Sequence, residues 1–170
     1  FLSLVPKRTL VMLDEAYDEY LTDELKAESI GWLGEFDNLV ISRTFSKAYG
    51  LAGIRTGYAM SNPEITSYLH KIKQPFNVNK LAQVAAAAAL NDQEYVKTII
   101  AKNQQQKAKL YQVFIRIGID FIPSYTNFIT INLKNSDAIY NQLLDHGIIV
   151  RPLANYGLND YLRVTIGTSE

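Results

Sequence analysis

The chain has 170 residues, 48% of them hydrophobic, enough for one packed domain or for one domain with part of a second. Its 17 lysines and arginines balance 17 aspartates and glutamates, which leaves no electrostatic basis for a nucleic-acid or membrane-surface partner. With no cysteine, with His70 and His146 far apart, and with no apolar run near the length of a membrane span, disulfides, thiolate or zinc sites and membrane insertion are all unexpected, and a soluble cytoplasmic protein is the expectation.

Residues 1–6 read as the tail of a helix, and Gly167-Thr168-Ser169-Glu170 as the opening of another, so the expectation is a fragment of a longer chain. Residues 9–13 form a short apolar run that suits a buried parallel strand. It ends in Asp14-Glu15-Ala16-Tyr17. Ligands of open α/β sheets bind beyond the carboxyl ends of strands, so this acid and phenol are candidates for a site; Asp14 also suits a cap on the following turn. Glu15 and Asp18 are read as solvated. Residues 19–32 are polar and mixed, a loop with a short helix.

A strand over residues 38–41 then leads into the stretch 42–58, which sets Thr44, Ser46, Lys47 and Arg55 among glycines and alanines. A lysine held out of bulk water favours its neutral amine, a nucleophile toward aldehydes. Two hydroxyls and a guanidinium are groups that a phosphate monoester needs. Together they suggest pyridoxal phosphate with its aldehyde on Lys47. The plainer alternative is a surface lysine in a glycine-rich loop, with Arg55 a solvated strand-end charge.

Residues 58–60 suggest another strand, and Asn62-Pro63-Glu64 a helix start, with the helix running to about residue 71. Residues 74–79 break the pattern, and residues 80–90 form an alanine-rich helix. A long helix follows to residue 117, opened by a capping box from Asn91 to Glu94 and stopped by Gly118. Its apolar stripe is Val96, Ile99, Ile100, Leu110, Val113, Phe114 and Ile117. Strands are expected at 128–132, 148–150 and 161–165, with a helix capped by Ser136 and ended by Gly147 between the first two.

Thr44-Phe45-Ser46-Lys47 followed by Gly53-Ile54-Arg55-Thr56-Gly57 resembles the pyridoxal-lysine signature of the class I/II, fold-type I aminotransferases. Asp14-Glu15-Ala16-Tyr17 resembles the second signature of that family. The resemblance implies that Asp14 pairs with the cofactor's ring nitrogen, that Tyr17 bonds its phenolate oxygen, that Thr44, Ser46 and Arg55 serve its phosphate, and that Lys47 carries it and moves protons. Arg163, in Leu162-Arg163-Val164-Thr165-Ile166-Gly167, resembles the arginine such enzymes aim at a substrate anion. With Arg151-Pro152 and Asn155-Tyr156-Gly157, this block is most similar to the histidinol-phosphate aminotransferases, where the arginine serves a phosphate that Arg151 would share. Tyr125-Thr126-Asn127-Phe128 adds Asn127 as a substrate candidate; it also reads as a turn asparagine.

The implied fold is α/β. Residues 1–92 would be the C-terminal part of the large-domain mixed sheet, 93–117 a connecting helix, and 118–170 a small, truncated C-terminal α/β domain. The implied activity is transamination between histidinol phosphate and 2-oxoglutarate in a homodimer. The resemblance places the phosphate-binding loop, the ring-stacking aromatic and a tyrosine from the partner subunit outside these residues, so the fragment alone is expected to be inactive. An aromatic aminotransferase, a threonine-phosphate-type decarboxylase and the pyridoxal-phosphate-binding half of a transcription regulator remain open on the same residues.

Overall fold

The computed structural model describes residues 1–169 and divides into two compact units, the first Phe1–Val96 and the second beginning at Lys97. The first unit carries β1 (Val11–Asp14), α1 (Ser29–Trp32), β2 (Leu39–Thr44), β3 (Gly57–Ser61), α2 (Pro63–Ile72) and α3 (Lys80–Asn91). Its sheet runs in the order β1-β2-β3. β1 is parallel to β2, with Asp14 opposite Ser42; β3 is antiparallel to β2, with Gly57 opposite Thr44. Leu39, Val40 and Ile41 are all buried. A central strand covered on both faces has this continuous apolar character, and burial becomes partial only beyond it, at Ser42, Arg43 and Thr44.

Local capping fixes the helices. Asn62 Oδ1 accepts from the Ile65 amide at 2.8 Å with Pro63 in the first turn, and Asn79 Oδ1 accepts from the Ala82 amide at 2.8 Å. The capping box expected at Asn91 is displaced by one residue. Asn91 closes α3 with its side chain on the Ala87 carbonyl, and Asp92 Oδ1 takes the Tyr95 amide at 3.1 Å to start α4 (Gln93–Ile117). An asparagine that already has an i−4 carbonyl to bind is available to end one helix, leaving the acid to begin the next. Residues 1–6, expected as the tail of a helix, hold only a 3-10 turn, Leu2–Leu4.

The second unit carries most of α4, then β4 (Asp120–Ile122), β5 (Phe128–Asn132), α5 (Ser136–Asp145), β6 (Arg151–Pro152) and β7 (Tyr161–Thr165). The sheet order is β4-β5-β7-β6, every neighbour antiparallel. Phe114 of α4 joins Ile129, Ile131 and Leu162 in the core, and Leu110, Ile139 and Leu143 pack on the same cluster. Val113 and Ile117, expected in the α4 stripe, stand exposed.

Several expectations change here. β4 was not foreseen, because three residues are too short for a period to register. The apolar run 148–150 is not a strand: Gly147 takes φ 74°, and the Ile148 amide bonds back to the Leu143 carbonyl at 2.8 Å, so the run closes α5 and pairing starts at Arg151. Ser136 does not cap α5. Asn135 stands at that position with φ 61°, and Ser136 Oγ instead donates to the Asn159 carbonyl at 2.7 Å. Residues 167–169 form no helical turn, and Glu170, the last of the expected helix opening, lies outside the described residues.

Candidate active site

The parallel pair β1 and β2 ends where the candidate groups collect. Asp14 is the last residue of β1, and its Oδ1 accepts from Ser42 Oγ and from the Ala16 amide, both at 3.2 Å. The chain then turns through Tyr17 into a 3-10 turn, Asp18–Tyr20. β2 closes at Thr44, whose Oγ1 accepts the Ser46 amide at 3.1 Å and bends the chain out of the strand. Phe45 and Ala48 point into the interior, with the Phe45 ring 5.1 Å from that of Tyr49 and 5.6 Å from that of Tyr58. Those buried anchors hold the half-buried Lys47 between them. Its Nζ lies 5.4 Å from the centre of the Tyr17 ring. Gly50 is required to turn the loop back: its φ is 70°, and an added methyl carbon would lie 2.7 Å from the Tyr95 hydroxyl.

Arg55 adopts φ 55° after a 3-10 turn, Ala52–Ile54, and donates from Nη1 to the Ala52 carbonyl at 2.8 Å. It is exposed. The structure thus brings Asp14, Tyr17 and Lys47 to one end of the sheet, with Thr44 and Ser46 in the turn that presents the lysine.

Glu15 and Asp18 are not solvated. Glu15 is 8% exposed, and its Oε2 accepts from Arg43 Nε at 2.9 Å and Nη2 at 2.8 Å; Asp18 Oδ2 lies 3.6 Å from the same Nη2. Burial, then the Glu15 charge, raises the Asp18 carboxyl above its ordinary value, against the pull of Arg43. Burial likewise raises Glu19, and pushes the Tyr20 phenol up to about 12 with help from Glu19.

In the second unit, Arg151 and Arg163 stand directly opposite each other on β6 and β7. The Arg163 guanidinium lies 4.9 Å from the centre of the Phe128 ring, and its buried Nε has no hydrogen-bond partner among the described residues. Arg151 Nη2 donates to the Tyr156 hydroxyl at 2.8 Å. Asn127, next to Phe128, is pinned by its carbonyl, which accepts the Ile166 amide at 2.9 Å. A face of α4 holds this turn. Asn103 donates to the Thr126 carbonyl at 3.1 Å, Lys107 to the Ser124 carbonyl at 2.8 Å, and the Tyr111 hydroxyl accepts the Ser124 amide at 2.6 Å. The four-residue spacing of Asn103, Lys107 and Tyr111 was the available sequence signal, hidden because polar residues on a long helix read as its wet face. Burial pushes the Lys107 ammonium below its usual value.

Among the described residues, no cluster of three or more His, Asp or Glu is placed to hold a metal, and no helix is long and apolar enough to cross a membrane. A family model, aminotransferase class I and II, matches residues 1–170. The chain belongs to the class I and II aminotransferases. A histidinol-phosphate aminotransferase of Methylobacillus flagellatus is 52% identical to this aminotransferase chain over 167 residues, 98% of this chain and 45% of that relative. The crystal structure of histidinol-phosphate aminotransferase from Sinorhizobium meliloti in complex with pyridoxal-5'-phosphate is 35% identical and matches with a TM-score of 0.88, over 97% of this chain and 46% of that one. The L-threonine-O-3-phosphate decarboxylase of Porphyromonas gingivalis is 27% identical with a TM-score of 0.82, over 96% of this chain and 51% of that one. The chain spans about half the length of the curated relatives it matches.

Proposed function

We propose that this aminotransferase chain supplies the lysine-bearing part of a pyridoxal-phosphate-dependent transaminase that exchanges the amino group of histidinol phosphate with 2-oxoglutarate. The observation that carries the reading is the meeting of an amine, a phenol and a carboxylate at the end of β1 and β2, with Lys47 Nζ over the Tyr17 ring. The residues fit the cofactor by their chemistry. Lys47 offers the amine for the aldehyde, Asp14 a carboxylate for the ring nitrogen, Tyr17 a phenol for the ring oxygen, and Thr44, Ser46 and Arg55 two hydroxyls and a guanidinium for the phosphate.

When bound, pyridoxal phosphate supplies an electron sink in conjugation with the amino-bearing carbon of the substrate. Asp14 holds the proton on the ring nitrogen, which keeps that sink strong. Lys47 would act as base and then acid, holding the proton taken from the substrate's amino-bearing carbon and delivering it to the cofactor's aldehyde-derived carbon, two atoms away across the nitrogen. Tyr17 orients the ring by its oxygen and limits where the Lys47 side chain swings.

Arg151 and Arg163 support the choice of substrate. Like charges directly opposite on neighbouring strands repel, so the rung β6–β7 is best balanced by a dianion such as a phosphate monoester. Asn127, beside Phe128, is assigned to the same substrate end. The M. flagellatus and S. meliloti relatives are named for histidinol phosphate, which favours that ester. The likeness to the P. gingivalis decarboxylase favours a second reading, in which the same arginines hold threonine phosphate. The proposal includes a cytoplasmic homodimer with small-molecule partners and no nucleic acid, in keeping with zero net charge and with the exposed apolar side chains of Phe76, Leu81 and Val84.

The test is a paired assay of the full-length protein loaded with pyridoxal phosphate. Glutamate appearing from histidinol phosphate and 2-oxoglutarate is the expected result. Carbon dioxide released from threonine phosphate instead would establish the second reading, and neither product would refute both.

A further inference from the structure

Strand geometry sets two functional residues and two others on opposite sides of the same backbone. Side chains alternate along a strand, so Ser42, which bonds Asp14, and Arg43, which follows it, leave β2 on opposite faces. Glu15 follows Asp14 in the same way. The Glu15 amide extends the β1–β2 ladder by one bond, to the Ser42 carbonyl at 2.9 Å. Its side chain then meets Arg43 on the far side.

We propose that Glu15, Arg43 and Asp18 form a positioning clamp that fixes Asp14 and Tyr17 for the cofactor, an inference that rests on the roles given to those two residues above. The guanidinium grips the turn at two points. It holds Glu15 through Nε and Nη2 at 2.9 and 2.8 Å, and reaches Asp18 at 3.6 Å. The two acids bracket Ala16 and Tyr17. Between them the backbone is closed by the Asp18 amide on the Glu15 carbonyl at 3.2 Å and the Tyr20 amide on the Tyr17 carbonyl at 3.0 Å. Tyr17 therefore has little freedom: its backbone is fixed on both sides, and its ring sits 6.3 Å from the Tyr20 ring and 5.4 Å from Lys47 Nζ.

The chemistry of the clamp suits placement better than stability. A buried ion pair contributes little net stability compared with apolar side chains of the same size, because desolvation offsets the attraction. What it supplies is direction, since a guanidinium accepts a carboxylate only in its own plane. Arg43 is also an interior residue of β2, four positions before Lys47. One rigid group thus ties the strand that leads to the amine to the turn that carries the acid and the phenol. A displacement near 1 Å at a reacting group costs about 100-fold in rate, so a clamp on the far face matters without touching the ring.

The test uses the full-length protein and two variants. Glu15→Gln keeps an acceptor for Arg43 and removes the charge. The double variant Glu15→Leu with Arg43→Met removes both charges and keeps the packing, so it remains usable if a single charge left buried prevents folding. Two readouts are taken. The first is amide hydrogen exchange of residues 15–20 without cofactor, expected about 10-fold faster in the double variant while the β5–β7 core is unchanged. The second is the dissociation constant for pyridoxal phosphate, expected about 10-fold weaker in the double variant, with a less than additive further loss when the double variant is combined with Asp14→Asn, because Tyr17 still depends on the clamp. A purely structural role would give additive losses.

Unchanged exchange over residues 15–20, or additive losses with Asp14→Asn, overturns the clamp. A wild-type protein that fails to bind pyridoxal phosphate overturns the functional reading instead, and the exchange measurement then decides the clamp alone.

Discussion

Gly53 and Gly57 belong to one short motif, yet the structure separates them sharply. Neither has a left-handed backbone, so the difference lies in space. A methyl carbon on Gly57 would lie 2.7 Å from the Arg43 carbonyl oxygen and 3.5 Å from Thr44 Cα, both backbone atoms that cannot swing aside. To recover an ordinary contact of 3.4 Å, β3 must open from β2 by about 0.7 Å at the Thr44–Gly57 rung. The neighbouring bond, from the Phe45 amide to the Thr56 carbonyl, is already 3.3 Å and would be lost. Overpacking costs about 1–3 kcal/mol and the lost bond about 1 kcal/mol, so Gly57→Ala should destabilise by about 2–4 kcal/mol. A methyl carbon on Gly53 meets no described atom within 4 Å. Gly53→Ala should leave stability unchanged or raise it by about 0.4–1 kcal/mol through the unfolded chain. Urea unfolding of the full-length protein measures both. With a slope of about 2 kcal/mol per molar, Gly57→Ala should lower the midpoint by about 1–2 M. Equal midpoints, or a larger loss at Gly53, would refute the packing argument.

Glu19 gives a pH test. Burial raises its carboxyl above the ordinary 4.5, so the charged form is penalised in the folded protein. The folded state binds more protons there, and the stability present below pH 4.5 is lost as pH climbs through the raised value. Glu19→Gln should therefore unfold at higher temperature than wild type at pH 7, with the gap closing below pH 4.5; parallel curves would contradict this. Tyr111→Phe removes the acceptor for the Ser124 amide and keeps the ring stacked 4.4 Å from Phe121. It should cost about 1–3 kcal/mol in urea unfolding, and a neutral result would mean that the amide finds another partner.

Much of the fold was readable because strong local signals agreed. Asn62 with Pro63, the alanine run after Asn79, and Gly118 at φ 70° each marked an element end that the structure keeps. What escaped reading depended on pairs distant in sequence. Glu15 and Arg43 are 28 residues apart, and nothing in either neighbourhood shows that strand pairing buries them together. The run 148–150 had strand composition, but one helix-closing bond to Leu143 claimed its first amide. At the candidate site, the motif residues pointed to one end of the sheet, and the geometry there follows from the register of Asp14 with Ser42. The α4 residues Asn103, Lys107 and Tyr111 that hold the turn at Asn127 had no such motif to mark them.

The central claim is that Lys47 carries the cofactor. The most direct measurement is borohydride reduction of the full-length protein with pyridoxal phosphate, followed by peptide mass mapping. The account predicts the reduced cofactor on the peptide containing Lys47, and none in Lys47→Ala. Label on another lysine, or label that survives Lys47→Ala, would contradict it.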